Sequence, residues 1–332
     1  RPDFAGFMRL GSERSPHNSH MNSNQPPPLS IVVLAAGQGK RMKSALPKVL
    51  HPIAGKAMLA HVLDAAERLH PTETCIVYGH GGGLVRAAFA DQPRLKWAKQ
   101  EPQLGTGHAV LQAMPYINSD GVTLILYGDV PLITHETLTT LVETAKEKRL
   151  AWLTQHVASP AGLGRMVRDA SGKVVAIVEH KDATDEQRKI TEINTGFVAC
   201  PTDLLAKWLP KLGSQNAQGE YYLTDILAMA VAEGVPVETS QPGNPWEVTG
   251  INSQDQLAAL EREYQTVQAG RLMAGGVMLA DPSRIDIRGT LSCASEVSID
   301  INCIFEGAVV LASGVRIGAN CILRNCTIEA GA

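Results

Sequence analysis

Two cations, Arg41 and Lys48, follow the glycine pair Gly37 and Gly39, and an aspartate, Asp129, closes a separate apolar run, LILYGD at 124–129. Glycines let a chain expose its peptide N–H groups and approach a visitor closely, and adjacent cations make that visitor an anion, such as a triphosphate or a phosphomonoester. An aspartate beside phosphate oxygens suits Mg²⁺, which takes one or two protein oxygens and completes its shell from substrate and water. Taken singly, Arg41 and Lys48 read as solvated surface charges, and Asp129 before Pro131 reads as an ordinary turn opener. What they do together depends on the elements that carry them.

Those elements are legible. Ile31 to Leu34 is β-branched and apolar without alternation, which fits a strand covered on both faces. The pattern then alternates: strands at 30–36, 74–79, 95–98 and 122–127, with helices near 57–69, 83–90, 106–114 and 135–147. Such alternation predicts a doubly wound α/β domain of parallel strands joined by right-handed crossovers, with ligands outside the carboxyl ends of the strands. Both IVVLAAG (31–37) and LILYGD end at that edge. The glycine turn is neither a dinucleotide fingerprint, which would need Gly where Met42 stands, nor a Walker A loop, because Lys40 lies too close to Gly37. A second glycine-rich turn, QLGTGHA at 103–109, enters a helix near Thr106, which can cap it or bond a ligand.

Residues 151–250, with helices expected at 201–209 and 223–233, read as the second half of this catalytic domain. Residues 253–276 are rich in helix formers and end in glycines, as a linker helix would. Beyond 280, apolar or small residues recur every six positions. Ile299, Phe305, Leu311, Ile317 and Leu323 form one series; Val297, Cys303, Val309, Val315, Cys321 and Thr327 form another. A period of six predicts a parallel β-helix with Cys303 stacked on Cys321 and Ile299 on Ile317, cut after about two coils. At the other end, residues 1–29 lack periodicity and contain Ser19-His20-Met21, which reads as a vector junction before an initiator methionine, so a disordered leader is expected there.

Composition narrows the class. The 332 residues are 44% hydrophobic and 19% charged, with net charge −3, so a broad nucleic-acid surface is excluded and any phosphate chemistry must be local. The six cysteines have no metal-ligand or C-x-x-C spacing, which fits reduced thiols in a cytoplasmic protein. No apolar stretch approaches the length of a membrane span.

The order of LAAGQGKRM, Pro47-Lys48, QLGTGHA, LYGDVPL, GRM (164–166), IVEHKDA (177–183), EINTG (192–196), QGEYYLTD (218–225) and GIN (250–252) resembles the bacterial bifunctional N-acetylglucosamine-1-phosphate uridyltransferase / glucosamine-1-phosphate acetyltransferase family. The resemblance runs from about residue 30 to the end. It implies a nucleotidyltransferase (Rossmann-like) domain over 30–252, a linker helix over 253–276, and the start of a left-handed β-helix acetyltransferase domain over 277–332. It further implies that Leu34, Ala35, Ala36 and Gly37 contact the uridine part, with Gln100, Gly105 and Thr106 around uracil and ribose. Arg41 and Lys48 would hold the phosphates, Tyr127, Gly128, Gly164, Glu179 and Asn194 the sugar phosphate, and Asp129 with Asn252 the Mg²⁺. The implied substrates are UTP and N-acetylglucosamine 1-phosphate.

In-line attack of one polyanion on another asks the protein to position and neutralise, not to supply a covalent nucleophile. Lys40 departs from the family, where threonine or serine is usual, and adds a charge at the phosphate turn. Acetyl transfer from acetyl-CoA uses later coils and a tail, so an acetyl-CoA site is not expected in this chain. The parent family is homotrimeric, and two coils leave the assembly of this chain open. Two other readings share the folds: a pyrophosphorylase for another sugar phosphate, and a non-catalytic scaffold subunit.

Overall fold

The computed structural model describes residues 27–332, so the expected leader falls almost wholly outside the described residues. Its boundary moves by one residue. Leu29 opens the first strand, Leu29–Ala35, and the Pro28 carbonyl accepts from the Val122 N–H at 2.9 Å.

That first strand is the centre of the molecule. It pairs in parallel with Glu73–Tyr78 on one side and Val122–Tyr127 on the other, and Leu95–Lys99 extends the parallel set beyond Glu73–Tyr78. Successive side chains leave a strand on opposite faces, and both faces here are covered. Ile31, Val33 and Ala35 pack into one core with Leu59, Val62, Leu138 and Leu141. Val32, Leu34 and Ala36 pack into the other with Val110, Leu205, Trp208 and Ile226. The continuous apolar run is thus explained by helices on both sides of the sheet.

The second half of the sheet is mixed rather than parallel. Strand Glu192–Pro201 runs antiparallel to both Val122–Tyr127 and Leu150–His156, with a register shift between Asn194 and Val198. A buried central strand reads the same in either direction, so composition does not announce this reversal. A hairpin, Arg165–Arg168 with Val174–Val178, hangs from that strand. Helices fall close to expectation, at Met58–Glu67, Gly82–Ala88, Thr106–Ala113, His135–Lys146, Thr202–Trp208 and Asp225–Ala232.

The helix Gln254–Ala274 leads to two parallel ladders. One joins Met278–Leu279, Ser298–Ile299 and Arg316–Ile317; the other joins Ile285–Cys293, Cys303–Leu311 and Ile322–Ile328. From Ile285 onward partners lie 18 residues apart, as three hexads require, whereas Met278–Leu279 pairs 20 residues ahead: Ile299 pairs with Ile317, and the Ile304 N–H donates to the Cys321 carbonyl. Within the hexad series the strict six also fails once. The register slips between Glu306 and Val309, so Val309 faces Cys326 and Thr327 is exposed. Asn325, in a left-handed conformation, puts its amide oxygen where a Cβ on Gly307 would lie, and absorbs the missing residue. No helix among the described residues is long and apolar enough to cross a membrane.

Candidate active site

The carboxyl ends of the first and fourth parallel strands open into a cleft of 310 Å³ lined by Leu34 to Gly37, Lys48, Gln100, Gly105, Thr106, Tyr127 and Asp129. Gly39 sets the approach of Lys48. It is left-handed, and a Cβ there would lie 2.8 Å from the Lys48 Cβ, so only glycine lets Lys48 fold back against the turn. Gly128 ties the two strand ends together, its N–H donating to the Leu34 carbonyl at 3.0 Å.

At the mouth, the Lys48 ammonium donates to Asp129 Oδ2 at 2.5 Å and to Asn252 Oδ1 at 3.0 Å. Asn252 is brought there by backbone, because the neighbouring Ile251 N–H donates to the Asp129 carbonyl at 2.9 Å. Two hard oxygens, one charged and one neutral, therefore converge on a single cationic position. That donor set fits Mg²⁺ better than zinc, since it lacks nitrogen and sulfur ligands and leaves room for phosphate oxygens. Among the described residues no cluster of three His, Cys, Asp or Glu offers a rival metal site. Arg41 sits on the short turn Lys40–Met42, exposed, and is not among the cleft-lining residues.

The base end is built by hydrogen bonds. Gln100 is buried and donates through Nε2 to the Gly105 carbonyl at 2.9 Å, leaving its carbonyl oxygen as an acceptor. Thr106 does not cap its helix; Gly105 is the N-cap, and the Thr106 hydroxyl accepts from the Leu223 N–H at 3.1 Å. Tyr221 grips the same turn, donating to the Leu104 carbonyl and accepting from the Gly107 N–H, each at 2.8 Å.

Beyond Tyr127 lies a second hollow of 560 Å³ lined by Glu179, Asp182 and Asp225. Gly164 backs onto Glu179, both of whose carboxylate oxygens lie 3.3 Å from where a Cβ would be. Burial raises the Glu179 pKa, the Thr224 hydroxyl opposes the rise, and Asp182, Asp225 and Glu220 add to it. The Tyr127 phenol is likewise pushed up, by burial first and then by Glu179 and Asp129. Asn194 accepts from Trp152 Nε1 at 2.6 Å and from the Gly196 N–H at 2.7 Å, which fixes its amide and leaves the NH₂ end as a donor.

Comparison with known proteins agrees with the chemistry. The MobA-like NTP transferase domain family matches residues 31–210. The chain is 59% identical over 303 residues to the bifunctional protein GlmU of Nitrosospira multiformis, covering 91% of this chain and 66% of that protein. It is 56% identical to that of Dechloromonas aromatica, again over 91% of this chain and 67% of the relative.

The chain belongs to the GlmU family. It spans about two thirds of the length of the GlmU proteins it matches. Solved structures share the fold: a UDP-glucose pyrophosphorylase complexed with UDP-glucose, at TM-score 0.58 and 17% identity, covers 71% of this chain and 98% of its own. A nucleotidyl transferase from Methanothermobacter thermautotroptrophicus, at TM-score 0.52 and 22% identity, covers 71% and 97%. Within this GlmU fold four further residues line the cleft that the sequence did not single out, Val49, Gln103, Ala109 and Glu220. Gln103 opens the quoted QLGTGHA and its Nε2 donates to the Ala36 carbonyl, so the motif itself carried the signal.

Proposed function

We propose that this chain catalyses Mg²⁺-dependent uridylyl transfer from UTP to N-acetylglucosamine 1-phosphate, giving UDP-N-acetylglucosamine and pyrophosphate. The observation that carries the reading is the convergence of Lys48, Asp129 and Asn252 on one point at the mouth of a nucleotide-sized cleft. Leu34, Ala35, Ala36 and Gly37 form the floor for the nucleoside. Gln100, through its free carbonyl oxygen, accepts from the base, while Gly105 and Thr106 enclose the ribose. Asp129 and Asn252 would hold the metal, which when bound would polarise the α-phosphoryl group and screen the two polyanions from each other. Lys48 then turns to the phosphates, and Arg41, exposed on its turn, meets the departing pyrophosphate from solvent; both stabilise charge that grows on the leaving group.

The sugar phosphate lies across Tyr127, Gly128 and Gly164, with Glu179 accepting from a sugar hydroxyl and the Asn194 NH₂ donating to it. A sugar lacking those groups leaves buried polar atoms unpaired, which is the source of selectivity. We assign residues 30–252 to this uridyltransferase domain, 253–276 to a linker, and 277–332 to the first coils of a left-handed parallel β-helix, supported by the 18-residue register of its ladders. Acetyl transfer is assigned to the whole GlmU protein. A substrate panel tests the reading: pyrophosphate release with UTP and N-acetylglucosamine 1-phosphate should exceed that with glucose 1-phosphate by at least about tenfold, the worth of one lost buried hydrogen bond. Equal turnover of both sugars would move the assignment to another pyrophosphorylase.

A further inference from the structure

The linker helix Gln254–Ala274 supplies no lining residue to the cleft, yet its first three turns bind the backbone of Asn252 and the segments on either side of Lys48. Gln256 Oε1 accepts from the Asn252 N–H at 2.8 Å, and Gln254 Nε2 donates to the Met42 carbonyl, next to Arg41, at 3.1 Å. Met42, Ile53, Ala54, Ile251 and Leu260 form one small apolar core between the helix and those turns. The central contact is a hydrogen bond to a carboxylate. Glu261 Oε2 accepts from the N–H of Ala54 at 2.7 Å, a buried residue held in the left-handed conformation at φ 49.

Ala54 is the tip of the Pro52–Ile53 and Lys56–Ala57 hairpin, which follows directly from the Lys48–Leu50 turn. The other oxygen of Glu261 accepts from Gln265 Nε2 at 2.8 Å, and Gln265 exchanges two hydrogen bonds with Ile287 at 2.8 and 2.9 Å, in the first strand of the long ladder. A Cβ on Gly55 would lie 3.2 Å from the Arg288 carbonyl, so the hairpin tip also rests on that strand.

We propose that Glu261 is a positioning residue for uridylyl transfer: it clamps the Ala54 tip and so fixes the base of the Lys48 turn, with Gln265 tying the clamp to the first β-helix coil. This rests on the function proposed above. The opposite wall of the site, at Gly164, Glu179 and Asn194, receives no hydrogen bond from the linker helix, so the effect of losing the clamp is confined to the nucleotide and phosphate side.

The test uses the full chain with Glu261→Ala and Glu261→Gln. The alanine variant should raise the KM for UTP about tenfold, as losing one buried hydrogen bond to a charged acceptor does, and speed amide exchange over residues 52–57. The KM for the sugar phosphate should stay within about twofold. Glutamine keeps an acceptor for the Ala54 N–H and should restore UTP affinity and slow exchange. Unchanged KM for UTP in the alanine variant overturns the proposal, as does an equal fall in all parameters that tracks thermal stability without rescue by glutamine. If the unmodified chain transfers no uridylyl group while exchange at 52–57 still responds to the alanine substitution, the functional reading has failed and the clamp has not.

Discussion

Replacing Lys48 by methionine separates two roles of one position. In this structure the Lys48 and Asp129 side chains are 10% and 20% exposed and meet at 2.5 Å, with Asn252 completing the contact. Methionine has similar length but no charge, so the Asp129 carboxylate loses its partner in a partly dry site. Removing one partner of a buried ion pair costs roughly 3–5 kcal/mol; the partial exposure of Asp129 lets water return, and about 3 kcal/mol is expected in EDTA. Mg²⁺ can then take the vacated position without displacing an ammonium. At about 100 times its Kd it returns about 2.7 kcal/mol, close to what was lost. Urea denaturation of both proteins, with EDTA and with saturating Mg²⁺, reads this directly. The variant should gain from Mg²⁺ markedly more than the parent does. Equal gains in both proteins would refute the view that the ammonium and the metal use the same two oxygens.

Other perturbations address the remaining walls. Glu179 has a pKa raised above 4.5 by burial and neighbouring carboxylates, so its contribution to stability is full below the ordinary glutamate value and is lost as pH rises through the raised one. Glu179→Gln should therefore stabilise the fold at pH 8 relative to the parent and give no gain near pH 4, measured by denaturation at both; a gain independent of pH would show that the carboxylate is not the cause. Gly105 has φ 110, and a Cβ there would meet the Tyr221 backbone oxygen at 2.6 Å and nitrogen at 2.8 Å. Gly105→Ala should cost about 2–3 kcal/mol of stability, from a backbone region open essentially to glycine, and raise the KM for UTP; an unaltered KM would place the base elsewhere.

Much of this was written in local pattern. The first strand, its helices and the 18-residue stacking of Ile299 on Ile317 follow from periodicity, because burial on one or two faces dictates which positions must be apolar. The glycine turn was legible for the same kind of reason, since Gly39 is where Lys48 must approach. What periodicity cannot carry is contact at long range. Lys48 and Asn252 are 204 residues apart, and only family resemblance, not spacing, paired Asn252 with Asp129. The reversal of Glu192–Pro201 and the one-residue slip at Asn325 were hidden because each leaves the local composition almost unchanged. Glu261, within a segment legible only as a linker helix, gave no sign of its bond to Ala54.

The most direct measurement is turnover of UTP with N-acetylglucosamine 1-phosphate by the parent and by Asp129→Asn, with Mg²⁺ and with EDTA. The account predicts parent activity abolished by EDTA and a loss of about 10² or more in the variant, the scale of removing a main electrostatic stabiliser, with thermal unfolding still cooperative. Near-parental turnover by a folded Asp129→Asn protein at limiting Mg²⁺ would contradict it.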